Sequence, residues 1–95
     1  IEIVENLVQT GQFRIERIIS TGQATPPDQW YDQVRDEWVI LLQGQATVSY
    51  GDGREFALIA GDYLLIAAHE KHRVEETSVD PPCIWLAIHG SLVKN

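Results

Sequence analysis

Basic residues are scarce in this chain. Five Arg and two Lys stand against fourteen Asp and Glu, for a formal charge of −7 and a pI near 4.7. The basic side chains are scattered, so neither nucleic acid nor an anionic membrane is an expected partner, since both require a positive patch. Cysteine is limited to Cys83, which rules out a disulfide within the chain. A reducing compartment, the cytoplasm, is the expected location. Cys83 has no His or Lys beside it in sequence to favour a thiolate, so it reads as structural. No stretch approaches the ~18 apolar residues of a spanning helix. The segment from Ile1 to Leu7 has neither the basic start nor the apolar run of a secretory signal. Because the chain begins at Ile1 and contains no Met, the presence of residues ahead of it is left open. A Ser-His-Asp order, a phosphate-cradling Gly loop and a Cys-x-x-Cys pair are also missing, which removes the usual signatures of hydrolases, nucleotide binders and disulfide oxidoreductases.

What is present points to strands. At 95 residues and 44% hydrophobic content, residues 1–95 suffice for one domain with one core. No segment has the periodicity of a long amphipathic helix. Short runs rich in Val, Ile, Leu and aromatics alternate with Gly, Pro and Asp, an all-β pattern. Strands are expected over Phe13 to Ile19, Glu37 to Leu42, Ala46 to Tyr50, Glu55 to Ile59, Tyr63 to Ile66, His72 to Glu75 and Ile84 to His89. Gly51-Asp52-Gly53 supplies residues that tolerate positive φ, as a tight hairpin requires. Gly44 and Gly61 fall where strands must end and turn. Thr25-Pro26-Pro27-Asp28 and Asp80-Pro81-Pro82 read as exposed loops. Seven short strands must close on themselves to protect their edges, which predicts a β-barrel or jelly roll.

Two segments then carry a resemblance. Glu37 is followed six residues later by Gly44, and Gly61 is followed by His72 through Asp62-Tyr63-Leu64-Leu65-Ile66-Ala67-Ala68-His69-Glu70-Lys71. Over about residues 12–89 the chain resembles a small cupin. The first cupin motif runs Gly, five residues, His-x-His, three or four residues, Glu, six residues, Gly, and Glu37 with Gly44 fits its second half. The second runs Gly, five residues, Pro-x-Gly, two residues, His, three residues, Asn. Gly61 and His72 take the matching Gly and His, while Ala67 replaces the Pro, His69 the second Gly and Glu76 the Asn. The resemblance implies a cupin-type jelly-roll barrel. It also implies a divalent metal, held by the two His and the Glu of the first motif and the His of the second. Here the first-motif histidines are absent: with four intervening residues their positions fall on Trp30 and Asp32, and with three on Tyr31 and Gln33.

His72 and Glu37 form the best-matched pair, an imidazole and a carboxylate suited to Zn, Fe, Mn or Ni. Asp32, Gln33 and His69 are the candidates to complete the set. The ordinary alternatives are a hydrogen-bonded pocket histidine for His72, a solvated turn residue for His69 beside Glu70 and Lys71, and an ion pair with Arg35 or Arg73 for Glu37. The parity of His89 is left open. His69-Glu70-Lys71-His72 is one residue short of the helical zinc-protease motif and lies at a strand entry. Trp30 and Tyr31 are candidates to stack on a small-molecule substrate.

Four functional readings follow. A metal-holding cupin could act on a small molecule as an oxygenase or isomerase. A metal-free pocket could bind a sugar-like ligand, or could work by acid–base catalysis with His72 as base held by Glu37. A structural or regulatory dimer would have a filled barrel. With Glu37, Val39 and Leu41 facing the interior, Trp38, Ile40 and Leu42 face outward in a row, and a homodimer formed by sheet packing is expected to cover them.

Overall fold

The computed structural model describes residues 1–93, which contain eight strands and no helix. These are β1 (Ile3–Gln9), β2 (Phe13–Ser20), β3 (Asp36–Gln43), β4 (Gln45–Tyr50), β5 (Glu55–Ile59), β6 (Tyr63–Ile66), β7 (His72–Thr77) and β8 (Cys83–Gly90). The all-β expectation holds, and each of the seven expected strands is present. The eighth, β1, was not anticipated. Its apolar residues are divided between the two faces by Glu5 and Asn6, and all but Glu5 are exposed. No helix among the described residues is long and apolar enough to cross a membrane.

The strands form two antiparallel sheets, ordered β1-β2-β8-β3-β6 and β5-β4-β7. On β3, Asp36, Glu37, Val39 and Leu41 are buried while Trp38 and Ile40 are partly exposed. On β8, Cys83, Trp85, Ala87 and His89 are buried and the residues between them are not. This period-2 pattern fills the space between the sheets with Val39, Leu41, Val48, Ile66, Trp85 and Ala87. Apolar burial of this kind stabilises by roughly 25 cal/mol per Å².

Irregular backbone supplies the remaining closure. The segment after β2 runs along β7, where Thr25 N–H donates to the Val74 carbonyl at 2.9 Å and Tyr31 N–H to the His72 carbonyl at 2.7 Å. The Arg73 guanidinium fastens the same segment through the carbonyls of Thr25, Gln29 and Pro26 at 3.0, 3.2 and 3.3 Å. An otherwise open edge of β7 is thereby covered.

The β4–β5 hairpin forms as expected, and it uses the left-handed region only at Gly53, with φ 96°. Gly44, at φ 94°, is more tightly constrained: a Cβ there would lie 2.7 Å from Ser78 Oγ and 2.9 Å from Cys83 Sγ. A Cβ on Gly53 meets open space. Gly53→Ala should therefore lose only the left-handed backbone term, about 1 kcal/mol. Gly44→Ala adds the collision and should lose about 2–4 kcal/mol. Urea unfolding of both variants checks the difference; equal losses would mean that the contacts around Gly44 relax freely.

Candidate functional site

One end of the space between the sheets is left open as a cavity of about 270 Å³. An open cavity is not what the filled-barrel alternative expects. The cavity lies near the lower limit of small-molecule pockets, roughly 300 Å³. Its depth is apolar, lined by Ile18, Val39, Val48, Ile66, Val74 and Trp85, and its polar wall is a row of ionisable groups from β2, β3, β7 and β8.

His72 opens β7, and the reciprocal bond of its backbone N–H to the Tyr31 carbonyl, at 3.1 Å, fixes its position. Its Nδ1 lies 2.9 Å from the Glu70 carbonyl oxygen. Because a carbonyl only accepts, Nδ1 carries the proton in this bond, and in the neutral form of the ring it is a bare Nε2 that faces Glu37, 3.7 Å from Oε1. The Tyr31 ring stacks on His72 at 5.5 Å between centroids. Glu37 has no hydrogen-bond donor at close range among the described residues. Burial, followed by the nearby charge of Glu16 and opposed by Arg14, raises its pKa to about 7. The neighbouring Asp36 points the other way and behaves oppositely. The backbone N–H groups of Val93, Ala68 and Leu92 donate to it and hold it below the usual carboxylate range.

A second pair completes the wall. His89, opposite Glu37 in the β3–β8 register, has Nε2 3.0 Å from Glu16 Oε1. Its pKa is lowered, first by burial, against the pull of Glu16. Arg14 Nε lies 3.2 Å from Glu16 Oε2 without hydrogen-bond alignment. The sequence reading left His89 open and passed over Glu16 and Arg14. The strand register was the only signal for them: β2 alternates Arg14, Glu16, Ile18 and Ser20 toward the cavity, against the hydrophobic pattern that normally marks an inner face.

The expected five-residue metal set is not assembled. His72, Glu37 and Gln33 line the cavity. Asp32 and His69 instead pair with each other at 2.9 Å, with both side chains substantially exposed. The left-handed backbone of His69, φ 64°, belongs to the turn entering β7. Of the two possible spacings, Tyr31 and Gln33 are the residues that reach the cavity. A phenol and a carboxamide thus stand where cupins place imidazoles, and among the described residues no three His, Cys, Asp or Glu come together to hold a metal ion. The donor set does not fit the family's metal. Trp30 also departs from expectation: its ring lies 5.7 Å from the Arg73 guanidinium, on the loop and not among the cavity residues.

Residues 16–89 match the cupin domain family. The chain belongs to it. Among solved structures, a protein from Ralstonia eutropha JMP134, provisionally named a mannose-6-phosphate isomerase, is 42% identical with a TM-score of 0.92, over 97% of this chain and 86% of that one. A cupin superfamily protein from Desulfitobacterium hafniense DCB-2 is 19% identical with a TM-score of 0.81, over 97% and 79%. An RmlC-like cupin with a double-stranded β-helix fold from Methanocaldococcus jannaschii is 16% identical with a TM-score of 0.77, over 96% and 81%. The latter two share the fold alone. A search of proteins of curated function finds no match to this chain.

The raised pKa of Glu37 has a signed consequence. An unfolded Glu titrates near 4.5 and the folded one near 7, so between those values the folded protein holds more protons than the unfolded chain. Stability therefore falls as pH rises through that window, the penalty being absent below 4.5 and complete above 7. Glu37→Gln removes this term, and its stability relative to the native protein should rise between pH 5 and 8 by on the order of 2–3 kcal/mol. Urea unfolding at the two pH values measures it; a difference independent of pH would place Glu37 at an ordinary pKa.

Proposed function

We propose that this cupin domain takes a small molecule into its cavity and moves a proton on it through Glu37 and His72. One observation carries the reading: a buried carboxyl group with a pKa of about 7 stands 3.7 Å from the bare Nε2 of an imidazole at the cavity wall. A carboxyl half-protonated at neutral pH and an imidazole lone pair are an acid and a base poised together. On a hydroxycarbonyl compound, His72 Nε2 takes the proton from the carbon beside the carbonyl while the Glu37 hydroxyl gives its proton to the carbonyl oxygen. The resulting enediol collapses in the other direction when His72 returns its proton to the former carbonyl carbon and the Glu37 carboxylate takes the proton of the neighbouring hydroxyl. Such a shift is an isomerisation, the class for which the Ralstonia relative is named. Tyr31, stacked on His72 and exposed at the mouth, favours a second reading in which the cavity only binds, with the ring as a platform for a flat or sugar-like ligand.

Deuterium uptake from D2O into a panel of hydroxyaldehydes and hydroxyketones separates these readings. Exchange should be catalysed by the native protein, fall at least about 100-fold in Glu37→Gln and in His72→Gln, and survive chelation. No exchange with any compound would leave binding as the function. Loss on chelation with recovery on adding Zn, Fe, Mn or Ni would move the chemistry to a metal.

The same reading places two copies back to back. Trp38 and Ile40 on β3 lie opposite Leu65 and Tyr63 on β6, Leu42, Leu65 and Tyr63 are exposed, and the Trp38 and Tyr63 rings meet at 5.6 Å. An apolar patch of this breadth on the outside of a sheet suits a homodimer. Trp38→Asp should convert a sedimenting dimer to monomer; an unchanged dimer would locate the contact elsewhere.

A further inference from the structure

We propose that the row Arg14, Glu16 and His89 makes this cavity a site for uncharged, hydroxyl-bearing molecules and turns their phosphorylated forms away, an inference that rests on reading the cavity as the ligand site. Among the described residues Arg14 is the only Lys or Arg on its wall. With Nε 3.2 Å from Glu16 Oε2, its charge is already offset. Glu2 and Glu37 add two further carboxyl groups to the same lining, and Glu2 accepts from Ser20 Oγ at 2.8 Å. A phosphate monoester entering here brings about −1.5 to −2 charges at neutral pH. It would meet more acidic than basic groups. The described residues contain no helix whose N-terminus could compensate.

The hydrogen-bonding polarity of the wall agrees with the charge. His89 donates Nε2–H to Glu16 Oε1, so its neutral ring keeps the Nδ1 lone pair, which has no hydrogen-bond partner among the described residues. His72, in the tautomer that donates Nδ1–H to the Glu70 carbonyl, keeps a lone pair on Nε2 when neutral. Two imidazole acceptors flank Glu37, and neither can donate to a phosphoryl oxygen while neutral, whereas both can accept from a hydroxyl group. Beyond them the wall is Val39, Val48, Ile66, Val74 and Trp85, which suits an apolar body carrying a hydroxylated edge.

The chain has three histidines, two of them on the cavity wall and His69 outside it, so histidine ring NMR signals report binding with an internal control. The probes are two matched pairs, phenol with phenyl phosphate and mannose with mannose 6-phosphate, titrated at pH 7.5. In at least one pair the unphosphorylated compound should shift the His72 and His89 signals saturably, leave His69 unmoved, and bind at least tenfold more tightly than its phosphorylated partner. Glu16→Gln frees Arg14 and should narrow that ratio at least threefold. Equal or tighter binding of the phosphorylated compound at the same signals overturns the ligand class while leaving the site in place. No response from His72 or His89 to any of the four probes also overturns it, and the pH dependence of Glu37→Gln stability then judges the site separately. The native-protein comparison stands even where Glu16→Gln fails to fold.

Discussion

Strand β3 turns Glu37, Val39 and Leu41 toward the space between the sheets, and this one parity ties the hydrophobic core to the ionisable site. Leu41 is fully buried against the apolar end, Val39 lines both core and cavity, and Glu37 stands two residues farther along the same face. Because side chains alternate with period 2, no register of β3 can bury Leu41 and expose Glu37. The carboxyl group is carried into the interior by the residues that make the interior. Its neighbours across the sheet, Ile66 on β6 and His89 on β8, are set by the same pairing. The polar wall is thus a consequence of packing at the other end of the strand.

The buried charges are arranged in two different ways. Glu16 has a positive side chain on one side and an imidazole N–H on the other, at 3.2 and 3.0 Å, and such pairing offsets much of the desolvation of an internal carboxylate. Glu37 has no comparable partner and responds by holding its proton. Natural sites that need a proton near neutrality use this imbalance, accepting lower stability in exchange for reactivity. The paired and the unpaired carboxyl groups face one cavity, and under the proposed function the row from β2 and β8 would set the charge of the space while the pair from β3 and β7 would hold the mobile proton.

The fold was largely legible because its strands obey simple rules. Alternation on β3 and β8, the Gly53 hairpin and the Gly44 and Gly61 turns each leave a local signature. β1 did not, because an edge strand exposed on nearly every residue shows no alternation to read. In the site, Glu37, His72, Tyr31 and Gln33 were readable from motif spacing, whereas Asp32 came from the alternative spacing of the same motif and His69 from its nearness to His72. Those two lie on different connections, ahead of β3 and of β7, and pair with each other at the surface. Glu16 and Arg14 were invisible for a deeper reason. A strand carrying Phe13, Ile15, Arg17 and Ile19 on one face and Arg14, Glu16, Ile18 and Ser20 on the other suggests that the more polar face is outside. Only the pairing of β2 with β8 shows that the charged face looks inward and the apolar one outward.

That inversion bears on the opposite surface of the same sheet. If β2 turns charge toward the cavity, it must turn Ile15 and Ile19 outward, where their β8 partners are Ile88 and Ile84. The apolar outer face therefore extends from Trp38 and Tyr63 across β8 to β2. Filling the cavity wall with ionisable groups and leaving an apolar exterior are two results of one register. On β2 this register partly desolvates Arg14 and Glu16 while Ile15 and Ile19 stay only half-buried on the outer face. The proposed second copy on the outer face would relieve the hydrocarbon half of that imbalance, and the proposed hydroxylated ligand inside would relieve the polar half. The proposed assembly and the proposed ligand binding would accordingly be two responses to the same arrangement of strands.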